Sequence, residues 1–299
     1  MKDRMKILIA YNGSENADAA LDDLGRAGLP RRAEVLVLSV YDHWLPAPPS
    51  FGMVDTSFPE QELREEKETL VQAERGRAGI RSLFPDWEAK AGAAIGSPAS
   101  VIVQRADEWK ADLIVVGSHE RTALGRLLLG STSQSVVNHA HCSVRVARGR
   151  PVEADTPVRI IIGVDGSKGA EAAINAVAGR HWPPGSEARM VNAAWTAPPV
   201  VYDHMVGQVA AWIARENAKV QGMIEEALGK LQGAELLTSV VVREEEPKKL
   251  LLAEAERWGA DSIFVGARGG GAFERFLIGS VSSGVAARAH CSVEIVRVV

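Results

Sequence analysis

The sequence predicts an α/β protein of two tandem doubly wound domains, each an open five-stranded parallel sheet of order 3-2-1-4-5 with helices on both faces. Three observations carry this. The chain repeats itself: Ala111-Asp112-Leu113-Ile114-Val115-Val116-Gly117 returns as Ala260-Asp261-Ser262-Ile263-Phe264-Val265-Gly266, and His141-Cys142-Ser143-Val144 returns as His290-Cys291-Ser292-Val293, both at an offset of 149. Ala10-Tyr11-Asn12-Gly13-Ser14-Glu15 returns as Gly163-Val164-Asp165-Gly166-Ser167-Lys168 at an offset of 153. A period that long is a domain and not a solenoid unit. Runs such as Ile160-Ile161-Ile162 are continuously apolar, as strands covered on both faces are. These runs alternate with helical patterns, and right-handed crossovers between them wind an open parallel sheet.

Taken in order, the first copy places strands at 6–11, 34–40, 87–91, 112–117 and 143–147, and the second at 159–164, 188–193, 237–243, 261–265 and 293–298. Ser14 and Ser167 are N-cap candidates for the first helix of each copy, Ser97-Pro98 combines a cap with a first-turn proline, and Pro247 opens a helix over 248–258. Residues 60–78 read as a charge-rich helix whose apolar stripe is Leu63, Leu70 and Val71. Ser131-Thr132-Ser133-Gln134 reads as a capping box. The stretch from Gly149 to Pro157 mixes Pro, Gly and charge, so it reads as a linker that divides the chain into domains 1–150 and 156–299.

Composition narrows the function classes. Of 299 residues, 34 are Lys or Arg and 38 Asp or Glu, a net charge of −4 with both signs mixed. That balance lacks the basic face a nucleic-acid binder presents. No apolar stretch approaches the ~18 residues of a membrane span, and Ile7-Leu8-Ile9 falls short of a signal-peptide core, so the expected compartment is the cytoplasm. Cys142 and Cys291 lack a C-x-x-C context and read as small packed side chains, while His139, His141 and Cys142 are poorly spaced for zinc. Trp109 and Trp258 read as core residues. Trp44, Trp195 and Trp212, in or near the proline-bearing segments after the second strands, are more often ordinary packing than function, with a lid or an interaction surface as the alternative. No Ser/His/Asp order forms a triad and G-x-S-x-G is absent.

In a doubly wound sheet, ligands bind at the carboxyl ends of strands where the winding reverses. With the order 3-2-1-4-5, the first and fourth strands are neighbours, so the loop Asp165-Gly166-Ser167 and the segment from Gly266 to Ser282 should open into one crevice. Glycines in the second segment admit an anion close to the backbone, and Gly279-Ser280 stands where a helix begins with unpaired amides and a positive dipole end. Ser280 and Ser282 offer hydroxyls, Arg268 or Arg275 a positive charge, and Asp165 an acceptor for ribose hydroxyls or for Mg²⁺ bridging to phosphate. Each feature alone is ordinary architecture; their joint placement points to a phosphate ligand. A Walker P-loop is missing, and Gly269-Gly270-Gly271-Ala272-Phe273-Glu274 lacks the last glycine of a dinucleotide fingerprint.

These residues resemble the universal stress protein (UspA-like) family in its tandem form, over nearly the whole chain and twice. Its ATP-binding members carry G-x-x-G, nine residues, then G-[ST] after the fourth strand, and an aspartate after the first. The second copy matches through Gly266, Gly269, Gly279, Ser280 and Asp165, and the family's adenine-lining backbone maps to Ala193. The expected binding set is thus Asp165, Ala193, Gly266, Arg268, Gly269, Gly279, Ser280, Val281 and Ser282. In the first copy Gly117, Gly130 and Ser131 remain, but Glu120 replaces the second glycine and Asn12 the aspartate, so Asn12, Val40, Gly117, Gly130 and Ser131 form a degenerate site. The resemblance implies a cytoplasmic stress-response protein that binds ATP, or ADP or AMP, with Mg²⁺ assistance, and is a binding protein rather than an enzyme. Slow ATP hydrolysis and a non-nucleotide interaction or lipid-binding module are the alternatives. It also implies an internal pseudo-dimer through the last strands and leaves higher assembly, such as a homodimer, open.

Overall fold

The computed structural model describes residues 4–42, 58–118, 129–148, 156–194, 206–269 and 278–298, with the side chains of 58–63 left aside. The chain forms two compact units, built mainly from the residues up to Pro151 and from Val152 onward.

The first unit runs β1 (Met5–Ala10), α1 (Glu15–Asp23), a 3₁₀ turn (Leu24–Arg26), β2 (Ala33–Tyr41), α2 (Phe58–Leu83), β3 (Glu88–Ile95), α3 (Pro98–Trp109), β4 (Leu113–Gly117), α4 (Ser131–His139) and β5 (Ser143–Ala147). Its strands lie in the order β3-β2-β1-β4-β5, and every pairing is parallel. The second unit runs β6 (Arg159–Gly163), α5 (Lys168–Ala178), β7 (Glu187–Ala193), α6 (Val206–Gly233), β8 (Leu237–Arg243), α7 (Pro247–Trp258), β9 (Ser262–Gly266), α8 (Ser280–Arg288) and β10 (Ser292–Val296). Its order is β8-β7-β6-β9-β10, again all parallel. Both sheets therefore have the expected order, with the first and fourth strands adjacent.

The apolar runs are central strands. Ile160, Ile161 and Ile162 are fully buried, as are Leu113, Ile114 and Val115. In the second unit, Ile160, Ile162 and Phe264 pack with Ala173, Ile174 and Val177 of α5 and with Val220, Ile224, Ala227 and Leu231 of α6. Each such side chain stabilises the fold by about 1.5–3 kcal/mol through area removed from water.

Four details differ from the sequence reading. β3 continues to Ile95, because Gly92 sits in register opposite Leu38 instead of breaking the strand. An edge strand is held by its backbone ladder, so a weak side-chain pattern does not end it. The buried line of α2 is Thr69, Ala73 and Ile80, while Leu70 and Val71 are exposed. Ser131 does not open a capping box. Gly130 is the N-cap of α4, Ser131 is the first helical residue, and the Gln134 side chain donates to Asn138 Oδ1 at 3.2 Å. Trp109 and Trp258 are only half-buried; Lys6 lies over the first ring, and Arg159 and Arg189 over the second. Cys142 and Cys291 are buried. Among the described residues no helix is long and apolar enough to cross a membrane.

Candidate functional site

In the second unit the chain leaves β6 through Val164, whose amide still donates to Val191 O at 2.9 Å, and then turns sharply. The turn needs Gly166, which holds φ +76°. Asp165 Oδ1 accepts the Ser167 amide at 3.0 Å, and Ser167 caps α5 by accepting from the Ala170 amide at 3.1 Å. Buried Asn192 ties this corner to β7 by donating to Val164 O at 2.8 Å.

The loop after β9 meets that corner directly. Ser167 Oγ donates to Arg268 O at 3.3 Å. A Cβ on Gly269 would overlap Asp165 Oδ2, so the aspartate carboxylate lies against the bare Cα of the second motif glycine. Gly266 and Gly169 are in backbone contact, and a Cβ on either would strike the other segment. That contact lets the first turn of α5 sit on the end of β9. Gly279 closes the loop from its far side by donating to Ala267 O at 2.8 Å. Buried Ser282 donates to Gly266 O at 2.6 Å, which clamps α8 to the strand it follows. Its hydroxyl proton therefore serves the scaffold, whereas the sequence reading gave it to the ligand.

The remaining groups face solvent on one edge. Asp165, Gly269 and Ser280 are exposed, while Arg268, Gly279 and Val281 are partly so. Gly279, with φ −69° and ψ 152°, is the N-cap of α8, and no side chain caps that end. The first-turn amides of α8 are thus left without a side-chain cap, the arrangement that binds anions. Ala193 ends β7, the strand beside β6, on the same edge of the sheet. Of the expected residues, the structure sets Asp165 Oδ2 against the bare Cα of Gly269 and ties Gly279 to Ala267 O, while Arg268 Nη2 is buried and Ala193 stands two strands from β9.

The equivalent corner of the first unit shares the frame. Asn12 Oδ1 accepts from the Ser14 amide at 3.2 Å and from Ser14 Oγ at 2.7 Å, Gly13 holds φ +74°, and Ser14 caps α1. Ser133 donates to Gly117 O at 2.7 Å, the counterpart of the Ser282 clamp. Gly130 caps α4, Ser131 is exposed, and Val40 is partly exposed near the end of β2. The difference is chemical: a neutral amide stands where the second unit has a carboxylate. Glu120, Arg275, Trp44 and Trp195 lie outside the described residues, and Trp212 is half-exposed on α6.

Sequence reasoning missed Gly169, Asn192 and Ser167's bond to Arg268 O. For Gly169 a signal existed in the run Asp165-Gly166-Ser167-Lys168-Gly169, since a glycine at the second helical position has no local purpose.

Comparison with known proteins adds the family. The model described as the universal stress protein family matches residues 4–148 and again 158–297. A universal stress protein of Mycolicibacterium smegmatis is 30% identical over 202 residues, covering 62% of each chain, so the alignment spans less than two thirds of that relative. One from Thermus aquaticus is 37% identical over 142 residues, 48% of this chain and 97% of its own. Among solved structures, a universal stress protein from Archaeoglobus fulgidus superposes with a TM-score of 0.64 at 21% identity, covering 98% of both chains. At that identity the likeness speaks for the fold alone.

Proposed function

The chain belongs to the universal stress protein family, in two consecutive copies, and from that premise we propose that it binds an adenine nucleotide, ATP in the first place, in the crevice of its second unit. The observation that carries the reading is the seat of Asp165 Oδ2 against Gly269. It supports a reading in which Asp165 accepts from ribose hydroxyls beside a glycine backbone open to phosphate, with the uncapped start of α8 as the second anion-binding group. In this reading Ala193 supplies backbone at the adenine end, Gly269 and the Gly279-Ser280 helix start hold the phosphates, and Arg268 balances their charge.

The site also fits Mg²⁺ brought in with the nucleotide. That ion keeps most of its waters and asks for one or two carboxylates beside phosphate oxygens. Asp165 is suited to that part, since Oδ1 is engaged by Ser167 while Oδ2 faces the glycine side. The ion would screen phosphate charge and fix the tail's conformation.

Binding without rapid turnover is the form of activity we propose, in a cytoplasmic protein of the stress response. Hydrolysis needs a positioned general base, and Asp165 is already engaged as a binding group. The test is Gly269→Asp in the full chain. A second carboxylate there meets Asp165 and the phosphate path, so ATP affinity by calorimetry should fall at least about a hundredfold with the circular dichroism spectrum unchanged. Unchanged affinity would remove the site.

A further inference from the structure

Resting on the nucleotide reading above, we infer that Lys248 is a specificity-determining residue of the second unit: it holds the distal end of the phosphate tail and makes the site prefer a nucleoside triphosphate to a monophosphate. The geometry begins with two helices. In a parallel sheet each connecting helix starts at the carboxyl edge of the strands, so α7 and α8, which pack together, both begin beside the crevice. Lys248 lies in the first turn of α7.

Its stem crosses α8. A Cβ on Gly284 would overlap Lys248 Cδ and lie 3.4 Å from Cγ and 3.7 Å from Cε. Gly284 is four residues past Ser280, hence on the same face of α8 and one turn from its uncapped start. A glycine inside a helix is less favourable than alanine, and here the missing Cβ is what makes room for the lysine. The ammonium is turned back toward the N-terminal end of α7. It stands 3.6 Å from Glu246 Oε1, a carboxylate that also accepts from the Lys248 and Lys249 amides. That places the charge at the crevice edge of the sheet.

The pair it makes there is weak and exchangeable. Glu246 is 53% exposed and Lys248 30% exposed, a setting in which an ion pair contributes little. A polyphosphate carrying several charges outcompetes one shared carboxylate. Lys249 is arranged differently, 73% exposed and paired with Glu245 at 2.9 Å. The first unit lacks the device, since Ala99 and Ser135 stand at the positions equivalent to Lys248 and Gly284.

The experiment compares ATP and AMP binding by calorimetry, in the full chain with Mg²⁺, for the wild type, Lys248→Met and Lys248→Arg. Methionine keeps a stem over Gly284 and removes only the charge. The inference expects Lys248→Met to weaken ATP binding about tenfold, the size of one charge-assisted hydrogen bond, to change AMP binding less than about twofold, and Lys248→Arg to restore most of the loss. Equal losses for both nucleotides, or none for ATP, would overturn the inference and leave the nucleotide site standing. A wild type that binds neither nucleotide would overturn both.

Discussion

The two units are built on one plan and differ where the first and fourth strands of each release their loops. In the second unit Gly266 rests on Gly169 backbone to backbone, Ser167 reaches across to Arg268 O, and Asp165 rests on Gly269. In the first unit the residue facing Gly117 is Asn16, with its carbonyl 3.1 Å from where a Cβ would stand, and Ser14 turns its hydroxyl to Asn12 instead of across the crevice. The clamp from the fourth helix is the same in both, through Ser133 and Ser282. The shared frame therefore holds the helix in place, while the pieces particular to the second unit draw two loops together around a carboxylate.

The largest expected effect is on the backbone contact. Gly266→Ala pushes a methyl into the Gly169 backbone and should destabilise the second unit by roughly 3–4 kcal/mol. Gly117→Ala meets one carbonyl at the edge of tolerance and should cost about 1 kcal/mol in the first. Urea unfolding of both variants, with hydrogen exchange to assign each loss to its unit, checks the contrast; equal losses would erase it.

A second contrast concerns alkali. Tyr11 stands where the second unit has Val164, and its phenol is pushed up to about 12, first by burial and then by its hydrogen bond to Asp18. A Cβ on Gly76 would lie 2.9 Å from its ring, which shows how closely α2 covers it. The protonated phenol is favoured in the folded unit, so this contribution is complete below pH 10, the ordinary value, and is lost as the pH rises to about 12. The first unit should lose about 2 kcal/mol over that interval while the second, with valine there, is spared this loss. Following unfolding against pH checks it, and Tyr11→Phe should flatten the difference.

The smallest effect sharpens the chemical comparison. Asn12→Asp combined with Glu120→Gly returns the family pattern to the first unit, and ATP should then bind there with an affinity within about tenfold of the second site. Calorimetry that still counts the original stoichiometry would mean that residue type at these two positions is not what separates the units.

Much of this was legible in the sequence for a definable reason. The repeat, the buried strands and the glycine motif each tie residue type to backbone placement: Ile160 to Ile162 must be covered on both faces, and Gly166 must turn with positive φ. Contacts between residues distant in sequence were not legible. Arg145 with Asp23, Arg180 with Glu294 and Arg189 with Glu254 are buried or largely buried ion pairs separated by 122, 114 and 65 residues, and no local pattern announces them. Such pairs leave an uncompensated charge when one partner is removed, which makes their placement strict. The Ser282 clamp was misassigned for a related reason, because a serine at a helix start looks the same in sequence whether it serves a phosphate or the carbonyl sixteen residues behind it. Glu246 escaped notice as the cap of α7 because serine, threonine and aspartate are the residues expected there.

The most direct measurement is a calorimetric titration of the full chain with Mg²⁺ and ATP, run in parallel on wild type and Gly269→Asp. The account predicts one nucleotide bound per chain in the wild type and none in the variant. Two equivalent sites per chain, or a single site untouched by the substitution, would place the nucleotide somewhere other than between Asp165 and the start of α8.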